Sequence, residues 1–256
     1  MQTPERNTII TGDCLAVMRQ WPDACVGAFI ADPPYSSGGQ FRGDRNARPS
    51  DKYVQSTSVQ TCRIQFMGDN RDQRAFLLWC TLWLTEAWRV TAPGGIIMVF
   101  SDWRQVPTLT DAIQCGGWIW RNLVTWWKPG IRMQRGRFSS SAEYVVYGSK
   151  GVPLEGEESP QNVLSFAPVY GDDKLHIAEK PLALLYALVG VTPLGTLVCD
   201  PFCGSGTTLL ATRSRNRPYI GIEMAHDIAD MARARLAGES VRPQEPMPLF
   251  AQEAAE

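Results

Sequence analysis

Residues 196–212 read TLVCDPFCGSGTTLLAT: an apolar run that stops at Asp200, glycines at 204 and 206, and a helical pattern from Thr207. Strand, tight glycine turn and helix N-terminus follow in that order, which lets backbone amides and the helix dipole approach a ligand closely. Further on, PYIGIE (218–223) closes a second strand on Glu223, the position where an acid can accept from both hydroxyls of a ribose. The pair reads as a pocket for a nucleoside cofactor.

What is missing narrows the nucleoside. GSGTT carries no lysine after its last glycine, so it is not a phosphate-binding loop for ATP, and GxG followed by Thr-Thr is not the GxGxxG of a dinucleotide fold. Order matters as well. A nucleotide-binding sheet normally begins with its glycine turn, whereas this chain reaches the turn at residue 204 of 256. Strands from the N-terminal half must complete the sheet, as in a circular permutation.

Working outward, seven β-rich runs are predicted as strands: 7–10, 25–31, 94–101, 118–127, 142–148, 196–200 and 218–223. Segments 72–90, 105–115, 181–191, 207–216 and 226–237 carry apolar residues at helical spacing. The alternation predicts an α/β fold of about seven strands, mostly parallel, with helices on both faces and ligands at the carboxyl ends of the strands.

The strand 25–31 runs into ADPPYSS (31–37). Neither proline can donate to a ladder, so a buried strand is stopped abruptly there. The permuted order would set this strand beside the strand that ends at Asp200.

Composition bounds the rest. Hydrophobic residues make up 44% and charged residues 20%, as in an ordinary globule. No apolar stretch is long enough to span a bilayer and the N-terminus is polar, so a cytoplasmic location and no membrane contact are expected. Seven cysteines without a CxxC pair and two histidines argue against a disulfide framework or a metal site. The net charge of −1 hides an uneven distribution: 128–137 (KPGIRMQRGR) is +4 through Lys128, Arg132, Arg135 and Arg137, and 40–74, which includes Arg42 and Arg45, is +3. Such basic stripes suit phosphate contact, although a solvated loop is the plainer reading of each.

DPPY at 32–35, DPFCGSGTT at 200–208 and GIE at 221–223, in that order, resemble the permuted β-type DNA amino-methyltransferases that act on adenine N6 or cytosine N4. GDCLAVM (12–18), AEYVVYGSKG (142–151) and HIAEKPLALL (176–185) resemble further segments of that family in its order. The resemblance implies a Rossmann-like methyltransferase fold in one domain, 1–237. Its catalytic half is 1–150 with an inserted loop at 36–71, its recognition segment 152–175 and its cofactor half 176–237, ahead of a disordered tail at 238–256. It also implies S-adenosylmethionine held along Asp200, Pro201, Phe202, Gly204, Gly206 and Thr207. Glu223 would bind the ribose hydroxyls, Asp13 the adenine edge, and Lys180 would shape the pocket. Asp13 as a helix cap and Lys180 as a solvated charge are the competing readings.

The same resemblance assigns catalysis to Asp32, Pro33, Pro34 and Tyr35. An exocyclic amine is a poor nucleophile because its lone pair is delocalised into the ring. The Asp32 carboxylate and the Pro33 carbonyl would accept its two N–H bonds, the prolines would hold that carbonyl still, and Tyr35 would offer a face for stacking. No metal is needed. In double-stranded DNA the base must be flipped out to be reached, with Arg42, Arg45, Lys128, Arg132, Arg135 and Arg137 as phosphate contacts. Asp rather than Ser before PPY points to adenine; cytosine N4, or a non-catalytic subunit of a larger modification complex, are the alternatives. The recognition segment of 24 residues, richer in acids than bases, predicts a short or relaxed target sequence.

Trp79, Trp83 and Trp88 share a helical pattern and are expected in the core, while Trp126 and Trp127 could line a nucleic-acid groove. QEPMPLF (Gln244 to Phe250) resembles the short motif by which bacterial replication proteins bind the sliding clamp, against the plainer reading of an unstructured remnant. The family includes many dimers, which leaves a homodimer open.

Overall fold

The computed structural model of the chain describes residues 1–36, 71–131, 133, 135–136, 138–169 and 179–238. Eight strands form one sheet in the order β1-β8-β7-β2-β3-β5-β4-β6. They are β1 (Thr8–Thr11), β2 (Val26–Ala31), β3 (Thr91–Ser101), β4 (Ile119–Trp127), β5 (Ala142–Ser149), β6 (Val163–Ser165), β7 (Val198–Asp200) and β8 (Tyr219–Glu223). Six described helices accompany them: α1 (Cys14–Met18), α2 (Gln73–Val90), α3 (Val106–Cys115), α4 (Leu182–Val191), α5 (Thr207–Ser214) and α6 (His226–Ala237).

The five strands from β1 to β3 in sheet order are all parallel, and β5 turns antiparallel against both β3 and β4. Every residue of β2 is buried, because helices cover both of its sides. Phe29 and Ala31 face a core built with α2 and α3, and Ala28 and Ile30 face a second core built with α4. The period of two that separates these sets is the pleat itself. On α2 the buried residues Phe76, Cys80, Trp83, Leu84, Ala87 and Val90 make one stripe. The helix starts where Asp72 accepts from the amides of Arg74 and Ala75, both at 2.9 Å.

The N-terminal β1 pairs with β8, Thr11 opposite Glu223, and β7 lies between β8 and β2. The strand carrying ADPPY therefore adjoins the strand ending at Asp200, as the permuted order required. The two approach closely: a Cβ on Gly27 would lie 2.0 Å from the Thr196 Cβ. Gly27→Ala is accordingly expected to destabilise the fold by about 1–3 kcal/mol, the range for overpacking a filled site, read out by chemical denaturation.

Three elements differ from the sequence reading. β3 begins at Thr91 rather than at Gly94, since the ladder absorbs Pro93 and the glycines as an irregularity between Val26↔Thr91 and Ala28↔Ile96. β6, of 3 residues, extends the sheet at its edge, and α1, of 5, fills the turn after β1. Among the described residues no helix is long and apolar enough to cross a membrane.

Candidate active site

Asp200 and Glu223 are the last residues of β7 and β8, and Asp32 follows the last residue of β2. Three acids thus stand in a row at the carboxyl edge of the sheet, around a cavity of about 370 Å³ that also reaches Asp13, Tyr35, Trp79, Glu143 and Lys180.

One end of the cavity is built by the glycine turn. Gly206, with φ of +83°, is the residue before α5, and Gly204 has φ of +49°. A Cβ on Gly204 would meet nothing within 4 Å, so the backbone here is open to a ligand. Glu223 braces the turn: Oε2 accepts from the Gly204 amide at 3.1 Å and Oε1 from the Ala225 amide at 2.9 Å. Each oxygen keeps a second lone pair for a hydroxyl. Phe202 packs against Trp79 and Trp83, with ring centroids 5.5 and 5.2 Å away. Trp83 is core, as expected, but Trp79 lines the cavity, and the Arg71 guanidinium sits 4.2 Å above its ring. Pro201 and Thr207 also line the cavity.

Asp200 is buried, and burial pushes its pKa up to about 7 although Thr208 and the Phe202 amide stabilise the anion. Burial raises Glu223 as well. Because the folded chain holds the Asp200 proton above the ordinary value of 3.8, this group's contribution to stability is complete below about pH 4 and is lost as pH rises through about 7. Glu143 has the opposite sign, since Lys180 and Lys128 outweigh its burial and hold it below the usual range. The cofactor-free protein is expected to lose about 1 kcal/mol between pH 6 and 8 through Asp200. Thermal melts should show this loss in the wild type and a much smaller one in Asp200→Asn.

The other end of the cavity centres on Asp32. Its Oδ1 accepts from the Tyr35 hydroxyl at 2.8 Å, and its Oδ2 from the Lys180 ammonium at 2.6 Å. Glu143, the second residue of β5, lies 3.2 Å from the same hydroxyl and 3.5 Å from the same ammonium, and its other oxygen pairs with Lys128. Burial and the two carboxylates hold the Tyr35 hydroxyl well above its ordinary pKa. Lys180 is buried too, yet Asp32 and Glu143 keep it protonated and raise its pKa. The chain leaves the site through Ser36, at φ of +52°, whose carbonyl accepts from the Gln105 amide at 3.4 Å.

The structure brings Asp32, Pro33, Pro34 and Tyr35 together with Asp200, Pro201, Phe202, Gly204, Thr207 and Glu223 around one cavity. Two readings are sharpened and one is corrected. Asp13 lines the cavity, but its Oδ1 caps α1 by accepting from Ala16 at 2.9 Å. Lys180 lines the cavity, buried on Asp32 and not a solvated charge. Lys128 is not a surface phosphate contact: its ammonium is directed into the site, onto Glu143 and 4.6 Å above the Trp126 ring. Trp126 itself is buried and donates to the Phe166 carbonyl at 2.8 Å, leaving Trp127 exposed. Arg135 is exposed in the β4–β5 turn, while Arg42, Arg45, Arg132, Arg137 and the 244–250 motif lie outside the described residues.

Two residues that the sequence reading passed over matter here. Glu143 gave no signal beyond opening a strand. Glu179, beside Lys180, accepts from Arg235 at 2.6 Å and from the Thr207 hydroxyl at 3.3 Å, tying the start of the lysine segment to α5 and α6.

Comparison with known proteins gives a consistent picture. The DNA methylase family model N6_N4_Mtase matches residues 26–154 and 153–234. The type II methyltransferase M.HinfI of Haemophilus influenzae is 27% identical over 259 residues, covering 90% of this chain and 68% of the relative. Among solved structures, the M1.HpyAVI–SAM complex superposes with a TM-score of 0.61 at 20% identity, over 89% of this chain and 98% of the other. The cytosine-N4-specific PvuII DNA methyltransferase superposes with a TM-score of 0.69 at 17% identity, over 94% and 89%.

Proposed function

Because the chain belongs to the N6_N4_Mtase family of DNA methylases, and is therefore an S-adenosylmethionine-dependent DNA methyltransferase, we propose that its acceptor is the exocyclic N6 amine of an adenine flipped out of double-stranded DNA. The observation that carries this reading is the position of Asp32: a carboxylate on the strand next to the glycine turn, followed by two prolines, at the far end of one continuous cavity.

The cavity's groups fit the cofactor. Glu223, already fixed by two amides, would accept the ribose hydroxyls; Phe202 would flank the adenine; the open backbone at Gly204 would lie along the chain of the molecule, with Asp200 at its side, while Gly206, packed against Ala232 and outside the cavity lining, shapes the turn. When bound, S-adenosylmethionine supplies an electrophilic methyl on a sulfonium. The protein's own part is to prepare the amine. The Asp32 carboxylate and the Pro33 carbonyl accept its two N–H bonds, turning the nitrogen lone pair out of conjugation and towards the cofactor end. The nitrogen would gain one N–C bond as the methyl–sulfur bond breaks and its electron pair stays on sulfur, leaving a neutral thioether, and would give up one N–H, whose proton would pass to Asp32 and on to solvent. Tyr35, now hydrogen-bonded edge-on to Asp32, has its ring beside the place where the base would enter.

A short or relaxed target sequence is supported by what residues 152–169 are used for. Glu157 and Glu158 pair with Arg215 at 2.7 and 2.5 Å, and 163–165 form β6. Parts of this interval are therefore tied to the end of α5 and to the sheet edge, which leaves few of its residues for reading bases. Arg135, Arg132, Arg137, Arg42 and Arg45 remain the proposed phosphate contacts. A sliding-clamp contact through 244–250, tested by clamp pull-down with Phe250→Ala, and a homodimer, tested by sedimentation, stay as further proposals.

Nucleoside mass spectrometry of DNA incubated with protein and cofactor tests the reading. N6-methyladenine is the expected product; N4-methylcytosine alone would move the specificity to cytosine, and no methylated base would overturn the proposal.

A further inference from the structure

Both oxygens of Asp32 are engaged before any base arrives: Oδ1 by the Tyr35 hydroxyl at 2.8 Å and Oδ2 by the Lys180 ammonium at 2.6 Å. A base amine can reach a carboxylate oxygen here only by sharing it or by displacing one of these donors. A donor displaced in a buried site needs another acceptor, or it forfeits a hydrogen bond that water cannot replace. Both donors have the same alternative. Glu143 Oε2 stands 3.2 Å from the tyrosine hydroxyl and 3.5 Å from the ammonium.

Glu143 is suited to that task for two further reasons. Its backbone is held in the ladder with β4, Glu143 opposite Trp126 and one residue beyond the last β3 pair at Tyr144, so the carboxylate is presented by the sheet and not by a loop. Its Oε1 is held by Lys128, which leaves Oε2 turned towards Lys180 and Tyr35. Two carboxylates and two ammonium groups make a neutral cluster. The arriving amine is neutral as well, so moving Lys180 and Tyr35 from Asp32 to Glu143 buries no new charge.

We propose that Glu143 is a positioning residue for methyl transfer: it receives Lys180 and Tyr35 as the target amine takes their place on Asp32. Lys128 is the counter-ion that keeps Glu143 ready. The inference rests on the reading of Asp32 as amine acceptor and adds to it how the acceptor is freed.

Steady-state kinetics on DNA for the wild type, Glu143→Gln, Lys180→Gln and the double variant test it, with melting temperature and cofactor affinity by calorimetry as folding controls. Glu143→Gln removes the second carboxylate beside Lys180, so the ammonium is held on Asp32 and clamps it. The expected result is a fall in kcat of about 10- to 100-fold, the scale of one charge-assisted hydrogen bond, with the DNA KM and cofactor affinity changed by no more than about 2-fold. Removing Lys180 as well releases the clamp, so the double variant should recover about 5-fold or more over Glu143→Gln, a coupling that a merely structural role for Glu143 would not produce. A kcat for Glu143→Gln within about 2-fold of wild type, or a double variant no faster than that single variant, overturns the proposal.

Should the glutamine variant not fold, a crystal structure of the wild type with target DNA and sinefungin decides it. Lys180 bonded to Glu143 with the base in place supports the hand-over; Lys180 still on Asp32 Oδ2 overturns it. A wild type that methylates no DNA removes the underlying reading, whereas normal methylation by Glu143→Gln removes this inference alone.

Discussion

Asp32→Ala is expected to lower kcat by about 1,000-fold or more while leaving S-adenosylmethionine affinity within a few-fold of wild type, the pattern of a group that acts in the transition state and not in cofactor binding. The truncation removes the acceptor for one amine N–H and with it the route by which the proton departs. The fold should survive, because Lys180 and Tyr35 retain Glu143 as partner. Asp32→Asn is the sharper companion. It keeps the volume but presents an amide N–H where an acceptor is needed, and it takes a negative charge from the pair of lysines, so it should be nearly as slow. Single-turnover measurement of the methyl group transferred, at saturating cofactor, checks both variants. An Asp32→Ala rate within tenfold of wild type would sink the assignment of Asp32 as amine acceptor.

Glu223→Ala should act on the opposite end of the cavity and in the opposite sense. It removes two acceptors for ribose hydroxyls and the brace on Gly204 and Ala225. A loss of about 2–3 kcal/mol, or about 100-fold in Kd, is expected from breaking hydrogen bonds to a charged group. Titration calorimetry with S-adenosylmethionine measures it directly, and kcat at saturating cofactor should stay close to wild type. Glu223→Gln, which can still accept through one oxygen, should fall between. An unchanged Kd in Glu223→Ala would place the ribose elsewhere. Together the two substitutions divide the cavity: one variant binds and does not transfer, the other transfers and does not bind well.

The elements that the sequence announced are those whose chemistry is local. Val26–Ala31 is apolar without alternation because helices cover both of its sides, and that pattern can be read from one strand. Gly204 and Gly206 sit where positive φ is required, and a strand followed by glycines states as much. The adjacency of β2 and β7 was legible from order alone, since a sheet that reaches its glycine turn so late must be completed by earlier strands. What could not be read is contact between residues far apart in the chain. Lys128 looked like part of a basic surface stripe, because charge counting carries no direction; its side chain turns inward once β4 and β5 pair and bring Glu143 alongside. Lys180 is 148 positions from Asp32, and only the assembled fold shows that the two side chains meet. β6 and α1 are too short to carry a periodic signal. Trp79 obeyed its helical pattern and packs half-buried against the core, and it also borders the cavity beside Phe202.

The pairing of β2 with β7 means that Asp32, the proposed acceptor acid, and Asp200, the proposed cofactor acid, stand at the ends of neighbouring strands of one ladder. Adjacent strands lie about 4.8 Å apart whatever their sequence. On the proposed roles, the separation between the two reacting partners would be gauged by backbone hydrogen bonds, with no hinge or linker between them. Such a gauge is indifferent to which of the two strands is synthesised first, and this is why a gene can encode the halves of the machine in reversed order without altering the distance over which the methyl group has to travel.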